Sequence, residues 1–70
     1  MPMRLITYQA QLSLPASLAR VRDAIAAIER IGGRVEFLAT GTAGVTTVRL
    51  YLPPPHAPGH FLPDLPFYPL

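Results

Sequence analysis

The distribution of proline divides this chain in two. Seven of the nine prolines fall in the last eighteen of 70 residues, and three of them are consecutive at 53–55. Proline has no backbone N–H to donate to a neighbouring strand, so such a run does not continue a central strand. We therefore expect a folded domain over residues 1–52 and an extended, polyproline-like tail over residues 53–70.

Residues 4–12 alternate between two faces, which is the period of a half-buried β-strand. The apolar face carries Ile6, Tyr8, Ala10 and Leu12. The other face carries Leu5, Thr7, Gln9 and Gln11, so it is exposed to water or pairs with polar groups.

An amphipathic helix is predicted from about Ala16 to Ile31. Apolar residues recur there at spacings of three and four, namely Leu18, Val21, Ile25 and Ile28, and this spacing places them on one helical face. Pro15 suits the first helical turn, with Ser13 or Leu14 as the N-cap. Gly32-Gly33 ends the helix, because glycine readily adopts the left-handed conformation.

Two further strands, at 34–40 and 45–52, are predicted to form a hairpin around the loop Gly41-Thr42-Ala43-Gly44. If Thr40 pairs with Val45, Phe37 lies opposite Val48 and Glu36 lies opposite Arg49. Every apolar-face residue then meets another, and one pair has opposite charges. A slip of one residue would exchange the two faces of one strand.

The turn Ser-Leu-Pro-Ala-Ser-Leu-Ala-Arg-Val at 13–21 resembles the Asp-x-Pro-Gly-x-Leu-Ala-x-Val turn that opens the first helix of ACT domains. The resemblance covers about residues 4–52, with Ser13 in place of the family's Asp and Ala16 in place of its Gly. It implies an α+β, ferredoxin-like half module: βαββ with a three-stranded antiparallel sheet, one helix and an extended C-terminal tail. ACT domains are regulatory modules that commonly dimerise and bind amino acids or related effectors near this turn.

The absent fourth strand and second helix predict a partner. The first strand would present an unpaired edge without proline or charge, and such an edge favours pairing with another chain. One helix also does not cover a three-stranded sheet. We expect a homodimer or higher oligomer, through first strands or stacked faces, or a tail that folds back or swaps onto a neighbour. The tail's apolar residues are consistent with this: Phe61, Leu62, Leu65, Phe67, Tyr68 and Leu70.

Two functions follow from these expectations. The first is a non-enzymatic regulatory module that binds a small effector, such as an amino acid, at the helix N-terminus. Its candidate ligand-binding residues are Ser13, Leu14, Ala16 and Ser17; plain helix capping is the simpler interpretation of the same residues. The second is an assembly subunit that binds another protein through the open strand edge and the proline-rich tail, without a small ligand.

Other functions find little support in the composition. The chain has no cysteine, and its four acidic residues show no catalytic spacing, so we expect no enzyme and no cofactor. His56 and His60 are four apart, but Pro58 and Gly59 interrupt any helix between them, so no metal site is predicted. The six arginines are scattered, which does not indicate nucleic-acid binding. No apolar run is long enough to cross a membrane, and a cytoplasmic location is expected.

Overall fold

A computed structural model describes residues 4–70; Met1, Pro2 and Met3 of the predicted domain lie outside the described residues. The helix and strands are, in chain order, β1 (Ile6–Leu12), α1 (Pro15–Arg30), β2 (Arg34–Ala39), β3 (Thr46–Leu52) and β4 (Tyr68–Pro69). The strands form one antiparallel sheet in the order β2-β3-β1-β4. The fold is therefore α+β as predicted, but the expectation of three strands is wrong, because the tail supplies a fourth.

Helix α1 agrees with its sequence pattern to within one residue at each end. Leu14 is the N-cap, and Pro15 occupies the first turn. At the other end Gly32 has φ 89°, and the Gly33 and Gly32 N–H groups donate to the carbonyls of Ile28 and Glu29 at 2.9 and 3.0 Å. These two bonds form a Schellman motif, which satisfies carbonyls that the helix end leaves unpaired.

The predicted hairpin register is confirmed. Phe37 pairs with Val48, and Glu36 lies opposite Arg49. The expected Glu36–Arg49 contact does not form, however. The Glu36 carboxylate accepts a hydrogen bond from the Tyr51 hydroxyl and lies 3.8 Å from Arg34. The register thus follows from the alternation of the two faces, without help from this ion pair.

Arg49 instead contacts the first strand. Its Nε donates to Oε1 of Gln9 at 2.9 Å, and Nε2 of Gln9 donates to the Tyr68 hydroxyl at 3.0 Å. Gln9 lies beside both Arg49 and Tyr68 in the sheet register. These three polar side chains, on the face opposite α1, are therefore hydrogen-bonded to one another across three strands.

The core lies between α1 and the apolar face of the sheet. Val21 and Ile28 of α1 are fully buried, as are Val48 and Leu50 of β3. Among residues 4–70 the hydrophobic core cluster consists of Ala10, Leu12, Val21, Ile28, Val48, Leu50, Leu52 and Leu62. Leu62 belongs to the tail, so the tail completes the core.

The tail is not simply extended. It makes a 3₁₀ turn at Pro58–His60, buries Leu62 to 2% exposure, and ends in β4, which pairs with Tyr8 and Gln9 of β1. The expectation of an open first-strand edge is thus wrong where β4 lies. Of the alternatives predicted from the sequence, the structure shows the tail folded back onto the domain of its own chain. The apolar side chains of the tail fill the layer that one helix leaves uncovered.

Candidate ligand-binding site

A groove of about 380 Å³ lies between α1 and the tail. We call it the helix–tail groove. Its lining residues are Arg20, Asp23, Ala24, Ala27, His60, Phe61 and Leu62. Four of these lie on α1 and three follow one another in the tail, so the groove exists only because the tail returns to the helix.

The helical wall of the groove is a single stripe. Arg20, Asp23, Ala24 and Ala27 have the spacing i, i+3, i+4 and i+7, which places their side chains along one helical face. Ala24 and Ala27 are small, and they leave room beside the tail. Phe61 is half-buried and Leu62 is buried, so the tail contributes an apolar wall.

The charged side chains of the groove form few contacts with other residues of the chain. Nη1 of Arg20 lies 3.3 Å from Oδ2 of Asp64, and these side chains are 42% and 77% exposed. An ion pair this exposed contributes little to stability. Arg20 retains further N–H donors, and Asp23 forms no ion pair with any other residue in 4–70. The groove therefore presents a cation and an anion one helical turn apart.

His60 brings an imidazole to the groove, and His56 lies beside it. The two rings lie edge to face with centroids 6.1 Å apart, and Nδ1 of His60 accepts a long hydrogen bond from the Ala57 N–H at 3.4 Å. Among the described residues no group of three potential ligands is close enough to hold a metal ion.

The predicted ligand-binding residues at the helix start lie apart from this lining. Ser13, Leu14 and Ala16 are exposed and Ser17 is half-buried, and none of them lines the helix–tail groove. The N–H groups of Ser17 and Leu18 both donate to the Leu14 carbonyl. Since Pro15 has no N–H, the first turn leaves only the Ala16 amide for an anion.

Ser13 is predicted to contribute little to helix stability. The N-cap is Leu14, and no side chain caps the helix. Ser13→Ala should therefore change the free energy of unfolding by less than about 0.5 kcal/mol, whereas removal of a true cap costs about 1 kcal/mol. Urea unfolding followed by circular dichroism measures the difference. A loss of about 1 kcal/mol or more would show that Ser13 caps the helix in solution.

Comparisons of the chain with protein-family models, curated proteins and solved structures each found no match. The resemblance of residues 4–52 to ACT domains accordingly stays a prediction from sequence. Among the helices of residues 4–70, none combines the length and apolar character needed to span a bilayer.

Sequence reasoning missed the helix–tail groove. The polar positions of α1 are visible in the sequence, and Arg20 and Asp23 are recognisable as residues outside the apolar stripe. Nothing in the helix distinguishes them from ordinary solvated charges. Only the position of the tail shows that they border a groove, and the proline-rich segment has no periodicity from which that position follows.

Proposed function

We propose that this protein is a non-enzymatic regulatory module, ACT-like in its βαββ part, that binds a small zwitterionic effector such as an amino acid in the helix–tail groove. The observation that carries the proposal is the pair Arg20 and Asp23, one turn apart beside an apolar wall. The groove replaces the helix N-terminus as the proposed site, because it has opposite charges and apolar surface together.

The ligand class follows from these groups. A guanidinium binds a carboxylate through paired N–H donors, and Arg20 has donors left after its contact with Asp64. The Asp23 carboxylate is a suitable partner for an ammonium group. The half-buried ring of Phe61 offers apolar contact to a short side chain. An α-amino acid carries these three features within one small molecule.

The size of the groove suits a small ligand. Its volume of about 380 Å³ falls near the lower end of the roughly 300–1,000 Å³ typical of small-molecule sites. A small ligand held by charge and apolar contact is the use that these residues favour.

Arg20→Gln is predicted to weaken effector binding at least about tenfold, which is the effect expected from losing one charge-assisted contact of about 1.5 kcal/mol. Each of the twenty amino acids is first screened by thermal shift, and the best is measured by calorimetry. Arg22→Gln is the matched control, since Arg22 is the next-but-one residue on the same helix and does not line the groove; it should bind like wild type.

Asp64→Asn extends this test. It removes the one ion pair that Arg20 forms within residues 4–70, so binding should be retained or strengthened. No thermal shift with any of the twenty amino acids would overturn the effector proposal. Equal losses of binding affinity in Arg20→Gln and Arg22→Gln would show that the effector binds elsewhere on the protein.

The assembly function remains the second candidate, and one observation favours it: β2 is an edge strand with no strand beyond it in the described sheet. The tail is a weaker basis for assembly. Leu62 is buried and Phe61 packs against the core, so these side chains are already used within the chain.

A further inference from the structure

Arg49 is a cation without an acidic partner, on the face of the sheet opposite α1. The register places it beside Glu36, but the Glu36 carboxylate accepts a hydrogen bond from the Tyr51 hydroxyl and lies 3.8 Å from Arg34. Arg49 itself forms no ion pair within residues 4–70. The charge of Glu36 is therefore balanced by Arg34, and the charge of Arg49 stays uncompensated.

The guanidinium of Arg49 is oriented from the side of β1. Its Nε donates to Oε1 of Gln9 at 2.9 Å, and Nε2 of Gln9 donates in turn to the Tyr68 hydroxyl at 3.0 Å. Arginine has five N–H donors, and the four on Nη1 and Nη2 form no hydrogen bond within residues 4–70. Since no fully buried side-chain nitrogen of the described residues lacks a partner, these four donors are accessible to a ligand.

Aromatic side chains flank Arg49 on this face. Tyr51 lies two residues further along β3, and the guanidinium of Arg34 stacks over its ring, 4.4 Å from the centroid. Tyr68 lies on the other side, across β1, and is 47% exposed. From the spacing of strands and of residues within them, the Cα atoms of the two tyrosines are about 12 Å apart, with Arg49 between them.

We propose that this face of the sheet binds single-stranded nucleic acid, with a phosphate on Arg49 and bases stacked on the Arg34–Tyr51 pair and on Tyr68. We call it the outer sheet face; the residues used here are Gln9, Arg34, Glu36, Arg49, Tyr51 and Tyr68. None of them lines the helix–tail groove, so the inference is independent of the proposed effector.

The ligand class follows from a cation placed between two stacking surfaces. A guanidinium binds phosphate oxygens through paired N–H donors, and unpaired bases stack on tyrosine rings and on arginine planes. The bases of a duplex stack on one another instead, so the face suits a single strand. An acidic peptide would use Arg49 but would leave both stacking surfaces without a partner.

The scattered arginines of the sequence did not indicate nucleic-acid binding, and the fold changes that expectation. Arg34 and Arg49 lie on neighbouring strands and on one face, since their partners in the register are Tyr51 and Glu36. Helix α1 and the apolar residues of the tail pack against the core on the other side of the sheet. The formal net charge of +2 also favours association with a polyanion.

Fluorescence anisotropy of the full chain with a labelled oligouridine of about 12 nucleotides tests the proposal. At about 50 mM salt, wild type should bind at least as tightly as the roughly 10⁻⁴–10⁻⁶ M of non-specific complexes. An abasic strand of the same length keeps the phosphates and lacks the bases, and it should bind at least about fivefold more weakly. A polyglutamate peptide of matched length measures the affinity for an anionic chain in general.

Two variants separate the phosphate contact from stacking. Arg49→Gln should weaken oligouridine binding at least about tenfold and reduce the steepness of its salt dependence by about 0.7, the contribution of one phosphate on a single strand. Tyr68→Leu should weaken binding at least about fivefold and leave the salt dependence unchanged, because it removes stacking and no charge.

Arg22→Gln is the matched control for charge. The Arg22 guanidinium lies over the ring of Phe37, which is on the core side of the sheet beside the buried Val48, so this variant should bind like wild type. Circular dichroism checks that each variant is folded. If Arg49→Gln is unfolded, Arg49→Lys replaces it; this variant keeps the charge and loses the paired donors, so binding should weaken with an unchanged salt dependence.

No measurable binding of oligouridine at low salt would overturn the proposal. Equal affinity for the abasic strand or for polyglutamate would do the same, because it would show attraction to any polyanion. Equal losses in Arg49→Gln and Arg22→Gln would show that the outer sheet face is not the binding surface.

Discussion

Deletion of residues 53–70 is expected to leave a chain that does not fold. The deletion removes Leu62, which is 2% exposed, together with the buried Pro53 and Pro58. It also removes β4, which pairs with β1. Loss of one buried leucine side chain alone costs about 2–5 kcal/mol, and a domain of this size has only about 3–5 kcal/mol of stability in total.

Circular dichroism and proton NMR of the truncated chain measure this effect, and Leu62→Ala in the full chain is the graded counterpart. Leu62→Ala keeps Pro53, Pro58 and β4 in place, so it should lower the unfolding midpoint less than the deletion does. A well-dispersed NMR spectrum from residues 1–52 would contradict the role assigned to the tail. It would instead favour a free segment available to partners.

Gly33→Ala should destabilise the protein by about 3 kcal/mol, the upper part of the range for overpacking. A Cβ at this position would lie 2.6 Å from the Tyr51 carbonyl oxygen and 2.8 Å from Cγ2 of Ile28. The first of these atoms belongs to the backbone of β3 and the second to a fully buried side chain. Neither moves freely, so the junction of α1 and β2 would have to shift.

Gly59→Ala is the matched control, because a Cβ there meets no atom within 4 Å and its φ is not positive. Alanine at such a site usually adds a few tenths of a kcal/mol, since it restricts the unfolded chain. Thermal unfolding should therefore separate the variants in opposite directions, with a fall of at least about 10 °C for Gly33→Ala. Equal midpoints would show that the helix–strand junction adjusts easily.

The elements of residues 4–52 could be predicted because their signals are local. The apolar positions of α1 repeat with the helical period, and Gly32 ends the helix as its left-handed conformation requires. The hairpin register was predictable since alternation and a four-residue loop leave one pairing that matches both faces. The absence of a Glu36–Arg49 contact was not predictable, because Arg49 binds Gln9 and Glu36 binds Tyr51 instead.

The candidate site depended on the tail and could not be predicted in this way. Ligand binding was predicted at residues 13–17 because capping residues and proline form a recognisable local pattern. The helix–tail groove joins Arg20 to Phe61, which are about forty residues apart in the chain, and no spacing rule connects them. In the sequence, Arg20 and Asp23 cannot be distinguished from the charged residues of any solvent-exposed helical face.

Short-range patterns were thus sufficient to place one helix and three strands, since hydrogen bonding and side-chain period act over a few residues. The fourth strand, the closing of the core by Leu62 and the groove beside α1 were decided only by tertiary structure. The reason is physical: prolines remove the repeating hydrogen bonds that make a segment predictable, and the tail's conformation then depends on the apolar surface that the rest of the chain leaves uncovered.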